Sequence, residues 1–467
     1  MTPPHLPAPT PDPAPAGDFA GDFAGVFGPV PALDGELCFD AGSLDAASTD
    51  FGGLVRQPPA AVLRPGSAED VAAMVRHCRA RGLKVAGRGQ GHSTNGQAQV
   101  ASGLVVDLGT LDSVEIRDDG TAVVQSGVRW STLVRASLAR GLTPPAFTDY
   151  LELSIGGTLS AGGLGGQIGH HGTQVDNVLE LQVVTGEGEL TTCSPTVRPD
   201  LFHAVLGGLG QCAIITRATL ALVPAPRSVR LYTLAAPSLA ALTAQQAALI
   251  GEGRFDYLVG QAHTPSPEGW SYMIEAAAYD GTAADDARLI GDLDHTAVEV
   301  RDLPYFDFLN RIAPMVEVFE SMGEWRRPHP WFDSLLPASA VDSVVSETLA
   351  TLKGGSVGAS AVVLLYPVLT AKCATPLPVM PDEELAYLFS LLKTASPGAD
   401  SAEEMVAANR RQYDATLAVG GRWYPIGSVP LTTDDWVRHF GPFWDEFKAA
   451  RHRYDPDGIL TPGQRIF

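Results

Sequence analysis

The sequence predicts an α+β protein with two domains, and three observations support this prediction. The chain has 467 residues, more than a single hydrophobic core usually organises. After residue 50 a strand–helix–strand unit is followed by hairpins, so helices and antiparallel strands are both expected. An apolar strand then ends at Pro224 and Pro226, beyond which the segments are longer and richer in helix. We therefore expect the domain boundary at this proline pair.

The composition argues against several classes of binding partner and of structural site. A net charge of −21 argues against nucleic acid or an anionic membrane, because both select for clustered lysine and arginine. The five cysteines are scattered, with no CxxC pair or zinc-ligand spacing, so neither a disulfide framework nor a metal site is expected. No run of about 18 apolar residues is long enough to span a membrane. A cytoplasmic protein is expected.

Residues 1–45 are expected to form a disordered tail. The stretch opens "MTPPHLPAPTPDPAPAG", is rich in proline and alanine, and contains a short GDFA duplication. It has neither the basic segment nor the apolar segment of a signal peptide. Ordered structure is expected from about residue 50.

The first ordered unit is a strand, a helix and a second strand. "AAVLRP" predicts the first strand, and Ser67 with Asp70 predicts a capping box that opens the helix. Gly82 ends the helix, and "LKVAG" predicts the second strand, which leads into the glycine-rich loop "GRGQGHSTNG". One face of the helix is apolar, through Val71, Met74, Val75 and Cys78.

Two hairpins complete the first domain. "SVEIR" and "TAVVQSGV" flank a turn at residues 118–120, and "NVLELQVVTGEGELTTC" turns at residues 186–188. A short helix over residues 131–140 and a second glycine-rich run over residues 154–172 lie between them. A helix in "PDLFHAV" and a strand in "CAIITRATLALV" follow. Residues 433–467 predict a capped helix and a compact tail that is docked rather than frayed.

The two glycine-rich runs favour a cofactor that carries phosphate. Consecutive glycines let backbone N–H groups converge on an anion, although tight turns without a ligand would also use them. A Rossmann fingerprint would follow the first strand and open a helix, whereas "GRGQGH" follows the second strand. A Walker A sequence is absent. A dinucleotide bound by a different fold remains as the candidate cofactor.

His92 lies at the centre of the first run. A lone histidine in a loop is usually a satisfied hydrogen-bonding residue. A neutral imidazole between glycines can also present a ring nitrogen to a cofactor, as a covalent tether to a flavin methyl group requires. Both interpretations stand on position alone.

Longer motifs resemble a known family. "GQGHSTNGQA", "FTDYLELSIGGTLSAGGLGGQ", "HGTQVDNVLELQVVTGEGEL", "WRRPHPW", "DDWVRHFG" and "YDPDGILTPGQRIF" are similar to FAD-dependent oxidoreductases of the p-cresol methylhydroxylase (vanillyl-alcohol oxidase) fold, and in particular to cytokinin dehydrogenases. The resemblance runs from about residue 55 to the end. It implies a two-subdomain FAD-binding domain over residues 50–226 and an α+β substrate domain with a large antiparallel sheet over residues 227–432. Residues 433–467 would return to the FAD-binding domain.

The resemblance also implies a set of cofactor residues. His92 would be joined through its ring nitrogen to the flavin 8α-methyl carbon. The cradle around the cofactor would be formed by Gly87, Arg88, Gly89, Gln90, Gly91, His92, Ser93, Gln97, Asp149, Ser154, Ser160, Leu164, Ile215, Tyr424, Thr461 and Gln464.

Asp149 occupies the position of the family's catalytic acid. It would accept a proton or hydrogen bond from the substrate while a hydride leaves for flavin N5. Trp331 and Tyr366 match positions that line a planar substrate slot, although both residue types are as common in a core. Oxygen or a quinone would reoxidise the flavin.

This chain departs from the family pattern at the substrate. Cytokinin dehydrogenases carry a second acid in a Tyr-x-Glu-Gly stretch, whereas this chain has Val259 there in "DYLVGQ". Valine cannot accept an N–H bond from a purine. Tyr150 stands where related enzymes place a cysteine for a second flavin bond, so a single covalent link is expected.

The expected activity is dehydrogenation of a C–N or C–O bond in a small planar substrate. A cytokinin is one candidate, and an intermediate of a specialised pathway or an alcohol or sugar is the alternative. A binding protein with a structural flavin is a further class, but it would have no need of Asp149.

Overall fold

The computed structural model describes residues 23–266, 269–352, 355–358 and 360–467. Its strands are β1 Glu36–Cys38, β2 Ala61–Arg64, β3 Val85–Arg88, β4 Leu104–Asp107, β5 Val114–Ile116, β6 Thr121–Gln125, β7 Leu142–Thr143, β8 Val178–Thr185, β9 Leu190–Cys193, β10 Ala213–Ala221, β11 Val223–Pro224, β12 Ser228–Ala236, β13 Tyr257–Ser266, β14 Gly269–Tyr279, β15 Ala297–Pro304, β16 Phe332–Pro337, β17 Val362–Leu369, β18 Leu385–Leu392 and β19 Arg422–Trp423. Its α-helices are α1 Phe23–Phe27, α2 Ala41–Ala47, α3 Ala68–Arg79, α4 Trp130–Leu138, α5 Ile155–Ala161, α6 Ile168–His171, α7 Pro199–Val205, α8 Leu239–Glu252, α9 Asp286–Ile290, α10 Tyr305–Leu309, α11 Ala313–Ser321, α12 Val341–Thr351, α13 Ala402–Ala418, α14 Thr433–Phe440 and α15 Trp444–Tyr454.

These elements form three main sheets. The first has the order β1-β2-β4-β3, in which β2, β4 and β3 are parallel and β1 is antiparallel. The second, β5-β6-β10-β8-β9, is antiparallel. The third is an eight-stranded antiparallel sheet, β15-β12-β14-β13-β17-β18-β16-β19. The α+β fold with a large antiparallel sheet is confirmed.

The first sheet is built as the sequence pattern predicts. The apolar face of α3 is buried together with Val85, Leu104 and Val106 of the sheet, in one hydrophobic cluster. Ser67 caps α3 by accepting a hydrogen bond from the N–H of Asp70. The second half of the expected capping box is absent from this helix, because the Asp70 carboxylate accepts from the N–H groups of Asp34, Gly35 and Gly66 instead.

The structure departs from the expectation for residues 1–45 in the part that it describes. Residues 1–22 lie outside the described residues. Residues 23–45, expected to be disordered, instead contain α1, β1 and the start of α2. Phe27 is fully buried against the α3 cluster, and β1 pairs with β2. The physical reason is that this stretch carries its own apolar side chains and is anchored at the Asp70 carboxylate.

The third sheet begins directly after the proline pair. β12 starts at Ser228, and helices α8 and α12 pack together, with α8 against β13, β14 and β17. None of the helices in the described residues combines the length and the apolar character that a membrane crossing requires. The division at residues 226 and 227 stays a proposal.

The C-terminal segment returns to the first sheet. The N–H of Val85 in β3 donates to the carbonyl of Ile459, and the N–H of Thr461 donates to the carbonyl of Val85. Residues 459–461 thereby extend the parallel sheet along the edge of β3. The chain end is brought to the loop that follows β3.

Candidate functional site

The first glycine-rich run, which follows β3, contains several backbone N–H groups with no acceptor among the described residues. The N–H groups of Phe51 and Gly52 donate to the carbonyls of Gly91 and Ser93, which fixes the direction of those peptide units. In the part of the chain that the structure describes, no backbone N–H of residues 90–94 donates a hydrogen bond to a protein group. A row of unpaired N–H donors is suited to the oxygens of an anion.

The second glycine-rich run packs against the first. A Cβ on Gly89 would lie 1.9 Å from Oγ of Ser154, so the two runs are in close contact at this glycine. Gly163 has φ +69°, and its N–H donates to the hydroxyl of Tyr424 at 3.1 Å. Tyr424 is thereby held against the second run. Burial raises the pKa of Tyr424, so its hydroxyl stays protonated.

The C-terminal turn closes the other side of the first run. A Cβ on Gly463 would lie 2.2 Å from the carbonyl oxygen of Gly96. Thr461 donates its hydroxyl to the carbonyl of Gly210, and the half-buried Gln464 follows in the same turn. The side-chain amide of Gln97 donates to the carbonyl of Gly427.

A half-buried positive charge lies at the start of the loop. Arg88 donates to the carbonyl of Thr49 at 2.7 Å, and burial lowers its pKa while Asp50 opposes that effect. Burial raises the pKa of Asp50 to about 6, against the hydrogen bond from the Gly96 N–H. A polar cavity of about 590 Å³ borders the loop at Arg88, Gly89 and Gln90. Free donors, an arginine and positions that only glycine fits together suit the pyrophosphate of a dinucleotide such as FAD.

The imidazole of His92 is enclosed by aromatic rings. Its centroid lies 4.0 Å from that of Phe51, 5.3 Å from Tyr150, and 5.8 Å from both Trp325 and Trp331. Burial lowers the pKa of His92 to about 3, and nearby His329 adds to the effect. Among the described residues, neither ring nitrogen makes a hydrogen bond. The ring is therefore neutral, and a nitrogen lone pair is free to act as a nucleophile.

Asp149 lies at the centre of a second, polar cluster. Its Oδ1 accepts from the hydroxyl of Tyr257 at 2.8 Å and from Nη2 of Arg311 at 3.0 Å. Its Oδ2 accepts a short hydrogen bond from the hydroxyl of Tyr366. Burial raises the pKa of both tyrosines well above their usual range, so they remain donors. Arg311 also binds Oε1 of Glu275.

The two clusters meet through neighbouring residues of one turn. Tyr150, which contacts the His92 ring, follows Asp149 directly in the chain. Trp331 contacts the same ring from the loop before β16 and is half-buried. Val259 is fully buried in β13, and its register partner in β14 is Glu275.

Ser160, Leu164 and Ile215 were expected to contact the cofactor. None of their described side-chain contacts joins them to the cluster around His92 or to the cluster around Asp149. The Ser160 hydroxyl donates within its own helix to the carbonyl of Gly156. Leu164 and Ile215 are buried in the largest hydrophobic cluster, whereas Ile214 is the residue that packs on Gly87. Their assignment to the cofactor stays a prediction.

Several residues at the site were not predicted from the sequence. Phe51 and Trp325 enclose His92, and Tyr257, Arg311 and Glu275 surround Asp149. Trp325 stands in the quoted motif "WRRPHPW", which could have signalled it. Arg311 and Glu275 are charged residues within otherwise apolar segments, and such a pattern is a signal for a buried ion pair.

Comparisons with known proteins identify both halves of the chain. Residues 59–194 match the FAD binding domain, and residues 262–467 match the family described as cytokinin dehydrogenase 1, FAD and cytokinin binding. An uncharacterised oxidoreductase of the fasciation locus of Rhodococcoides fascians is 38% identical over 91% of this chain and 97% of its own length. Cytokinin dehydrogenase 4 of Arabidopsis thaliana is 36% identical over 92% of this chain and 91% of its own length.

Solved structures agree on the fold. 6-Hydroxy-D-nicotine oxidase from Arthrobacter nicotinovorans superposes with a TM-score of 0.72 at 24% identity, covering 92% of this chain and 96% of that one. Chitooligosaccharide oxidase superposes with a TM-score of 0.73 at 18% identity, covering 95% and 98%. The fold predicted by resemblance, that of the p-cresol methylhydroxylase type, is confirmed.

Proposed function

This chain belongs to the cytokinin dehydrogenase family of FAD-dependent oxidoreductases, and from that premise we propose that it carries FAD covalently on His92 and oxidises a C–N or C–O bond with Asp149 as the base. The observation that carries the proposal is the meeting of the two clusters. Asp149 carries the carboxylate that is held in place, and the next residue, Tyr150, contacts the neutral imidazole of His92. A tether and a base linked through adjacent residues suit a redox site.

Each side chain has a defined part in this proposal. FAD, when bound, supplies a two-electron acceptor. His92 would hold it at one ring nitrogen, and the aromatic rings around His92 would reduce the access of water there. Asp149 accepts the proton from the substrate's N–H or O–H, while Tyr257 and Tyr366 keep the carboxylate in one orientation.

A substrate with an oxidisable C–N bond is favoured. The names of the relatives point to cytokinins, and an isoprenoid adenine would place its exocyclic N–H at Asp149 and its flat ring beside Trp331. The side chain at position 259 is a valine and cannot accept a second purine N–H, which favours testing other planar amines and alcohols as well. Oxygen or a quinone is proposed as the acceptor, and the cytoplasmic location stays a prediction.

Two measurements test the proposal. The purified protein should be yellow, and the colour should remain with the precipitate after acid denaturation, whereas His92→Ala should release it. Anaerobic addition of isoprenoid adenines, planar amines, alcohols and sugars should bleach the flavin bands with at least one of them. Asp149→Asn should keep the colour and lose at least about 100-fold in bleaching rate, as is typical for removal of a general base.

Three outcomes would test the covalent tether, the base and the enzymatic activity separately. Colour released from the wild-type protein by acid would refute the tether alone. A bleaching rate equal in Asp149→Asn and wild type would refute the base. Absence of bleaching by every compound would favour the binding-protein alternative.

A further inference from the structure

We propose that Arg311 and Glu275 form, with Asp149, a charged array that positions the base and sets its strength. Arg311 and Glu275 are positioning residues in this proposal, since they act through Asp149. The inference rests on the proposed function of Asp149. It adds two residues that lie on other elements, one after α10 and one in β14.

A single nitrogen joins the two carboxylates. Nη2 of Arg311 lies 3.0 Å from Oδ1 of Asp149 and 2.8 Å from Oε1 of Glu275. The three side chains are 14%, 22% and 15% exposed for Arg311, Asp149 and Glu275, so their mutual attraction is only partly screened by water. A fully exposed ion pair contributes little, whereas the largely buried charges of this array interact more strongly.

The guanidinium is itself held in place. Its carbon lies 4.8 Å from the ring centroid of Tyr257 and 4.7 Å from that of Phe308. Its Nη1 donates to the carbonyl of Phe308 at 3.2 Å. Burial would lower the pKa of Arg311, but the charges of its neighbours outweigh burial and keep the group ionised. A fixed, permanent cation therefore stands beside the base.

Glu275 reaches this point because of strand register. It pairs with Val259 across β13 and β14, and directly paired residues place their side chains on the same face of a sheet. Tyr257, two residues before Val259, lies on that face and binds Asp149. Glu275 thus reaches Arg311 from the strand that lies beside position 259.

The charges act on Asp149 in opposite directions. The guanidinium of Arg311 attracts the carboxylate of Asp149, whereas the carboxylate of Glu275 repels it. The other groups that face Asp149 are the hydroxyls of Tyr257 in β13 and Tyr366 in β17, both neutral donors. Together the array holds one net negative charge, and it matches a substrate that presents an N–H or O–H donor.

The test uses the holoenzyme and four variants: Arg311→Gln, Glu275→Gln, their combination, and Asp149→Asn. The anaerobic rate of flavin bleaching by N6-isopentenyladenine is measured against pH, and the flavin absorption spectrum without substrate is titrated in parallel. In Arg311→Gln the acid limb of the rate profile should move to higher pH by about 1–3 units, because an opposite charge is lost. In Glu275→Gln it should move to lower pH, and in the combination it should lie between the two.

The opposite directions of the two expected pH shifts distinguish a positioning role from a purely structural role. Unfolding or cofactor loss would lower the bleaching rate in both single variants without shifting the acid limbs of their pH profiles in opposite directions. Measurements of flavin content and of the thermal midpoint detect either event. Limbs that stay fixed or move in the same direction would overturn the proposal. If N6-isopentenyladenine does not bleach the flavin, the spectral titration decides: its step should be absent in Asp149→Asn and move oppositely in the two single variants. That result would leave the array standing while refuting the proposed substrate.

Discussion

Replacing Gly163 by alanine tests whether the second glycine-rich run is fixed by close packing. Gly163 has φ +69°, and a Cβ there would lie 2.1 Å from Oε1 and 2.8 Å from Cβ of Gln174. The left-handed backbone alone costs an alanine about 1 kcal/mol. Overpacking against a buried neighbour adds about 1–3 kcal/mol. We expect Gly163→Ala to lower the free energy of unfolding by about 2–4 kcal/mol, the sum of those two costs.

Gly141→Ala is the matched control. Gly141 also has φ +69°, but nothing lies within 4 Å of its Cβ position. This variant should therefore show only the backbone cost of about 1 kcal/mol. Thermal unfolding of both variants gives the difference, at about 2–4 °C for each kcal/mol in a domain of 150–250 residues.

The same variant reports on the cofactor. Displacing Gly163 moves its N–H away from the Tyr424 hydroxyl, so Gly163→Ala should retain less flavin per chain than Gly141→Ala. Equal midpoints for the two alanine variants would refute the packing argument. Equal flavin content would show that the Tyr424 contact does not contribute to the cofactor site.

Three further predictions concern other parts of the molecule. Asp70→Asn should lower the free energy of unfolding by about 1–3 kcal/mol, since an amide cannot accept from three N–H groups, and chemical denaturation would detect it. Burial lowers the pKa of His439 to about 3 from its ordinary 6.5, and Arg422 adds to this. The unfolded chain therefore takes up a proton first, and stability is lost as the pH falls from 6.5 towards 3; His439→Leu should lose less of its thermal midpoint over that interval, and an equal loss would contradict the argument. Trp331→Ala should weaken substrate binding by about 2–12-fold with the flavin retained, because an aromatic contact contributes about 0.5–1.5 kcal/mol; unchanged binding would assign Trp331 to packing.

Local signals in the sequence were sufficient for much of the first domain. The apolar spacing on α3, the turn at residues 118–120 and the glycines at 186 and 188 each act within a few residues, and the expected helix and hairpins are present. The position of β1 was missed because its stability comes from a partner strand and from Asp70, which lie outside its own short segment.

The residues of the candidate site were likewise predictable only in part. The position of His92 among glycines is visible in the sequence, and the resemblance to a family supplied Asp149. Arg311 and Glu275 could not be assigned, because their roles depend on strand register and on a contact across 162 residues of chain to Asp149. Neither hydrophobic periodicity nor motif spacing predicts a contact between residues that lie so far apart in the chain.

The hydrogen bonds between β3 and residues 459–461 have a consequence for biosynthesis. During translation the open edge of the parallel sheet waits for a segment that emerges some 374 residues later, as the contact from Lys84 to Gly458 illustrates. Contacts so distant in sequence form slowly, and an uncovered edge invites association with other chains. The edge of β3 therefore stays open until residues 459–461 are available, which places completion of the first sheet late in folding.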